Sequence, residues 1–222
     1  VVPPGIIREI NVATANQAQL NEQSLQLEIC GLEDGDARAA YRNINFDMRM
    51  YKRLRMFVHG EAFRSDEPLE TGDLSVFVRL GSDFVDNYYE YEIPLTVTPW
   101  GVTEETEIWP VANEVDLRFQ DLQNLKISRP VGYPLFQEWT NFVDGARLSV
   151  RGNPNLANVV TVMIGVRNPD KDTNPFAVDD DGLEKCAIVW ANELRLAEFN
   201  EEGGWAATCL LYTSPSPRDP NR

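Results

Sequence analysis

The sequence has a single histidine, His59, and three cysteines, Cys30, Cys186 and Cys209. One histidine rules out two- and three-histidine zinc sites and leaves any nucleophile–base arrangement with one candidate base. The cysteines form no C-x-x-C pair and no metal-ligand spacing. Cys30 and Cys186 lie in apolar contexts, so each reads first as a small buried hydrophobe and only second as half of a disulfide with the other. Basic residues are scarce, 20 Lys and Arg against 35 Asp and Glu, for a net charge of −15. A field of that sign repels nucleic acid and disfavours an anionic membrane surface. No apolar run approaches the roughly 20 residues of a membrane helix. The stretch from Val1 to Ile10 lacks the basic start and apolar run of a signal peptide, and it reads as the continuation of a longer chain. There is no glycine-rich phosphate loop and no evident internal repeat.

What is present is strand patterning. Hydrophobic residues make up 43% and aromatics 10% of 222 residues, enough for the core of one large all-β domain. Alternation with period two places Leu54, Met56 and Val58 on one face, with Arg53, Arg55, His59 and Glu61 on the other. Leu74, Val76, Val78 and Leu80 repeat it, as do Tyr89, Tyr91, Ile93, Leu95 and Val97, with Glu90 and Glu92 facing out. Val160, Val162, Ile164 and Val166 form another strand. Ile188, Trp190, Leu194 and Leu196 form the last, with Asn192 on the same apolar parity, either as a buried, hydrogen-bonded residue, the favoured reading, or as one that faces a groove. Earlier strands are expected from Leu25 to Cys30 and from Ala39 to Phe46. One short helix is expected at Gln120 to Lys126, where Leu122 and Leu125 make an apolar stripe. Turn residues such as Asp34-Gly35, Asn168-Pro169-Asp170 and Asp181-Gly182 separate these runs. Pro94 falls on the outward parity of its strand and suggests an edge or a bulge. Many strands joined by polar turns, with no βαβ rhythm, predict an antiparallel β-sandwich or jelly roll.

The domain expected runs from 21 to 200, after an extended lead-in over 1–20, with a long loop between Trp100 and Asn113. A short exit segment covers 201–208. From Cys209 the chain reads CLLYTSPSPRDPNR, a disordered tail over 209–222 that resembles translated adaptor sequence rather than native protein.

Candidate sites are sparse. His59 reads as a solvent- or groove-facing strand residue. Asp179, Asp180 and Asp181 before Gly182, with Asp170 and Asp172 nearby, form the best oxygen-rich cluster for a calcium ion, although no complete ligand spacing is present. Tyr88, Trp100, Trp109 and Trp139 lie on or beside loops, where exposed rings stack on sugars or anchor interfaces, while core packing is the plainer reading. Paired carboxylates for glycoside hydrolysis are allowed by residue type, but no pair is singled out. No catalytic residue and no cofactor other than Ca2+ is indicated.

Several stretches together resemble the SprA/Sov family of Bacteroidota. They are PGIIRE (Pro4 to Glu9), NEQSLQLEICGLEDGDARAAYRN (Asn21 to Asn43), MRMYKRLRMFVHGE (Met48 to Glu61), VRLGSDFVDNYYEYEIPLTVTPWG (Val78 to Gly101), VMIGVRNP (Val162 to Pro169) and WANELRLAEFNEEGGWAA (Trp190 to Ala207). The resemblance implies a fragment of the giant outer-membrane translocon of type IX secretion, which passes folded cargo to the cell surface and supports gliding motility. It also implies a jelly-roll sandwich of galactose-binding-like type, on the periplasmic or cell-surface face, that does not itself span the membrane. Implied partners are other domains of the translocon, its accessory subunits or its cargo, with no nucleic acid. A structural and interaction domain, not an enzyme, is the function expected. A carbohydrate-binding module is the alternative, and a two-carboxylate hydrolase comes third.

Overall fold

A computed structural model describes residues 24–200 apart from 67 and 178. The lead-in with its PGIIRE stretch, the GGWAA segment and the Pro- and Ser-rich end lie outside the described residues.

Among the described residues ten strands build two antiparallel sheets. The smaller has the order β1-β10-β3-β6, from β1 (Leu25–Leu32), β10 (Lys185–Phe199), β3 (Tyr51–Ala62) and β6 (Val115–Arg118). The larger has the order β2-β9-β4-β5-β8-β7. Its strands are β2 (Ala37–Phe46), β9 (Val159–Arg167), β4 (Ser75–Gly81), β5 (Tyr88–Pro94), β8 (Ala146–Arg151) and β7 (Trp139–Val143). The expected parities now have a physical meaning. Leu54, Met56 and Val58 from one sheet meet Val76, Val78, Leu80, Leu148 and Val150 from the other in one dry core.

Helix α2 (Phe119–Ser128) closes one end of this core by burying Phe119, Leu122 and Leu125. Asp121 in its first turn and Lys126 in its last suit the helix dipole. It stops at Arg129, whose backbone is extended because Pro130 follows. The loop expected between Trp100 and Asn113 contains a four-residue helix, α1 (Glu105–Ile108), and a 3-10 turn, Val111–Asn113.

Three local expectations are corrected. Pro94 is not on an edge strand: β5 lies between β4 and β8, and Pro94 is its last residue, beyond the last β5–β8 pair at Glu92↔Arg147. The missing N–H therefore costs no ladder bond there. Ile188 and Trp190 do not share a face with Leu196. In the first half of β10 the core positions are Ala187, Val189 and Ala191, and a bulge between Asn192 and Arg195 shifts the register so that Leu196 lies opposite Leu54. One extra residue flips every later side chain to the other face. Asn192 lies opposite Phe57 and is only half-buried. Finally, Cys30 and Cys186 are not separate buried hydrophobes: they form a disulfide between β1 and β10. They occupy the ladder position after Ile29↔Ala187, where Gly31, at φ 65°, begins the bulge that ends β1 pairing at Leu32↔Lys185.

Candidate functional site

Both outer faces of the sandwich carry buried charge or polarity, which strand parity alone reads as solvated. On the larger sheet, Glu90 and Glu92 of β5 point away from the core yet are each 1% exposed. Arg79 of β4, Arg147 of β8 and Arg167 of β9 converge on them. Arg167 donates to Glu90 Oε1 from Nη1 and Nη2 at 3.0 Å each, and also to Glu92. Arg79 pairs with Glu90, Arg147 pairs with Glu92, and the Ser75 hydroxyl donates to Glu92. Burial opposes the charge on Glu90, but Arg167 and Arg79 prevail and hold its carboxyl below the usual range. Burial likewise disfavours the Arg167 cation, and the two glutamates overcome this and raise it above its ordinary value. The Phe77 ring fills the space beneath, with the guanidinium carbons of Arg167 and Arg79 4.8 and 5.4 Å from its centroid.

This arrangement bears on hydrolysis. The two carboxylates that the fold brings together are neutralised by three arginines and shielded from water. Neither is free to act as acid or nucleophile in the manner of a glycosidase pair.

On the smaller sheet His59 is 2% exposed, not solvent-facing as its parity suggests. The covering element is the chain around α1, which lays Ile108 and Trp109 over it. His59 Nδ1 lies 2.8 Å from the Ile108 carbonyl oxygen and donates its proton there, which leaves Nε2 as the lone-pair nitrogen. Nε2 stands 3.7 Å from Glu61 Oε2, and the Trp190 ring of the adjacent strand packs against the imidazole at a tilt, with centroids 5.0 Å apart. Burial lowers the His59 pKa against the opposing pull of the Ile108 carbonyl, and burial raises that of Glu61. The only imidazole thus fastens a loop to a sheet, through the Ile108 carbonyl, Glu61, Trp109 and Trp190.

The four aromatic candidates do not form one platform. Tyr88 is buried, donates to Glu138 and lies under Arg79, 4.1 Å from its ring centroid. Trp109 packs beside Phe57 and His59, and Trp139 donates from Nε1 to Ser128 Oγ at 3.1 Å while meeting Tyr133 edge-on. Trp100 alone of the four is largely exposed, at 51%, anchored through Nε1 to the Ala62 carbonyl at 3.1 Å and lining a shallow cleft of about 350 Å³.

The acidic turn is occupied by protein partners. Asp180 is buried and accepts from Asn174 Nδ2 at 2.6 Å and from the Gly182 amide, while Asp181 pairs with Lys185 at 2.8 Å. Asp170 accepts from the Asp172 amide. Among the described residues no three His, Cys, Asp or Glu side chains gather as a metal site.

One concavity was not expected from the sequence. It is an apolar groove of about 630 Å³ at the side of the sandwich, floored by Met48, Leu54 and Val162 and walled by β2 and the second half of β10. Its signal was the apolar residues that remain exposed at its rim, Leu25 and Phe46 at strand ends and Leu194 within β10.

Residues 1–214 match the protein family SprA_N, described as motility related/secretion protein. The chain belongs to this family. The SprA_N match spans all the described strands and extends to Ser214, into the Pro- and Ser-rich end. No curated protein matches the chain. Membership in SprA_N marks the chain as a motility- and secretion-related protein.

Proposed function

We propose that this sandwich is a structural and interaction domain of a giant outer-membrane protein-export channel of the type IX secretion and gliding-motility kind. It would act through packing and surface complementarity rather than catalysis. The observation that carries the reading is the family match over residues 1–214.

Three features support it. No described helix is long and apolar enough to cross a membrane, and the strands spend their apolar faces on a shared core. Their outer faces hold the Glu90–Arg167 network and the His59 cluster, whereas a barrel wall presents an apolar band to lipid. The Cys30–Cys186 disulfide fits an oxidising compartment, the periplasm or the cell surface. The first four strands also alternate between the sheets, β1 and β3 in the smaller and β2 and β4 in the larger, which is in keeping with a jelly-roll sandwich. Partners would be neighbouring domains of the channel, its accessory subunits or cargo.

Deleting the segment equivalent to 24–200 from the parent gene, with expression verified, tests this. Loss of cargo at the cell surface and of spreading motility is the expected outcome. Unchanged secretion and motility would overturn the reading.

A further inference from the structure

Between α2 and β7 the chain turns apolar side chains to solvent. Val131 is fully exposed, and Phe136 and Leu135 are 68% and 52% exposed. The loop that carries them is tied down at several points. Two consecutive turns shape it, closed by the Tyr133 N–H on the Pro130 carbonyl at 3.1 Å and the Gln137 N–H on the Pro134 carbonyl at 3.2 Å. Gly132 takes φ 86° in the first turn, a left-handed position that favours glycine. The root of the loop is fastened to Gly152, whose N–H donates to the Leu135 carbonyl and whose carbonyl accepts from Arg129 Nη1, each at 2.8 Å. Tyr133 is held by its hydroxyl, which donates to the Glu138 carbonyl at 2.9 Å, and by the Trp139 ring edge-on at 5.2 Å. Apolar side chains held out in water by an ordered frame mark a docking surface.

We propose that this tip seats the domain on a lipid bilayer, with Val131, Leu135 and Phe136 entering the boundary between headgroups and acyl chains. Charge selects the occupant first. A chain with 35 Asp and Glu carries none between Asp121 and Glu138, where the charged residues are Lys126 and Arg129. The two bounding acids are turned to partners: Asp121 pairs with Arg118 at 2.7 Å, and Glu138 accepts from the Tyr88 hydroxyl. Apolar residues at the tip, half-buried Tyr133 and Trp139 behind them and cations at the root match what an interfacial anchor presents to acyl chains, headgroups and phosphates. Shape selects lipid over protein, because a projecting tip enters a fluid surface anywhere, whereas a protein partner must offer a fitted pocket. The presence of a bilayer beside the domain rests on the export-channel reading. The net charge of −15 repels anionic lipid, so neutral headgroups are the surface expected.

The test uses the whole chain and vesicles of phosphatidylcholine and phosphatidylethanolamine. The parent should float with the vesicles. A Val131→Asp/Phe136→Asp variant should bind about tenfold less or weaker still, at an unchanged melting temperature, since both side chains lie outside the core. Val131→Leu/Phe136→Leu should bind as the parent does. A polarity-sensitive dye on Val131→Cys, in a Cys209→Ser background, should shift to the blue with vesicles. The same dye on Leu183→Cys should not: Leu183 is also exposed, but it lies beside Asn168 at the opposite end of the larger sheet from Gly152. No flotation of the parent, equal flotation of parent and aspartate variant, or equal dye shifts at the two sites would overturn the inference. So would self-association of the parent that the aspartate variant loses without any vesicle binding, which assigns the tip to a second copy. Absent flotation together with secretion lost on deleting 24–200 would sink this inference and leave the export-channel reading standing.

Discussion

Arg167 on β9 reaches across β4 to hold Glu90 on β5, with both of its terminal nitrogens on one carboxylate oxygen at 3.0 Å. The bond ties strands that are not neighbours, and it lies on a face that alternation alone assigns to solvent. Removing one partner strands a buried charge, and that is the costly way to break such a pair. Arg167→Ala should therefore destabilise the domain by roughly 3–5 kcal/mol. Arg167→Ala/Glu90→Gln should recover part of the loss, since the orphaned anion goes with it. Urea melts of the single and double variants check this. Equal stability of Arg167→Ala and the parent would mean that the network is ornamental.

Phe77 lies flat on this face because position 165 has no side chain. A Cβ on Gly165 would come 2.3 Å from Phe77 Cζ and 2.7 Å from the Ala39 Cβ. Phe77 cannot retreat without displacing Arg79 and Arg167 above it. Gly165→Ala should cost about 1–3 kcal/mol by overpacking, with the melting temperature as readout. A double change with Phe77→Leu should be better tolerated than the single one.

How much of this was legible follows from what alternation encodes. Period two correctly paired Leu54 with Val58 and Val76 with Leu80, because those strands run unbroken through the core. It failed on β10, where one extra residue between Asn192 and Arg195 exchanges the faces. A bulge changes no composition, so nothing in the pattern announced it, although Glu193 takes the left-handed φ of 53° there. Parity also told which way Glu90 and His59 point but not what lies above them. Arg79, Arg147 and Arg167 are far apart in sequence, and the cover over His59 comes from a loop read as plain linker. The disulfide stood only second among the readings of Cys30 and Cys186 for a similar reason: they are separated by 156 residues, and only the register of two strands makes them neighbours.

His59 gives the domain an acid-sensitive latch. Its folded pKa lies below the ordinary 6.5, so the unfolded chain binds the extra proton first. Stability from this residue is thus present above pH 6.5 and is lost as pH falls from there towards the lowered folded value. Glu90, also lowered, contributes in the same sense but only below about its ordinary 4.5. Glu61 runs the other way: its raised pKa makes stability decline as pH climbs from 4.5 through the folded value. His59→Phe should flatten the melting-temperature profile just below pH 6.5 and leave the steeper loss below pH 4.5 in place. A profile identical to the parent would show that His59 does not titrate with unfolding.

The Cys30–Cys186 bond closes a loop with a sequence separation of 156 that contains most of both sheets. Cross-linking so long a loop removes much of the freedom of the unfolded chain, and in the chain-entropy account the gain grows slowly with loop length. Removing it should cost about 2–5 kcal/mol. β1 should suffer most, because it is the edge strand of its sheet and is held by the β10 ladder on one side. A Cys30→Ser/Cys186→Ser variant is thus expected to melt at lower temperature. Its amides from Leu25 to Ile29 should exchange faster than those of β4, which lies between two strands. Uniform acceleration across both sheets would instead indicate a purely global loss of stability. No change at all would mean that the ladder alone secures β1.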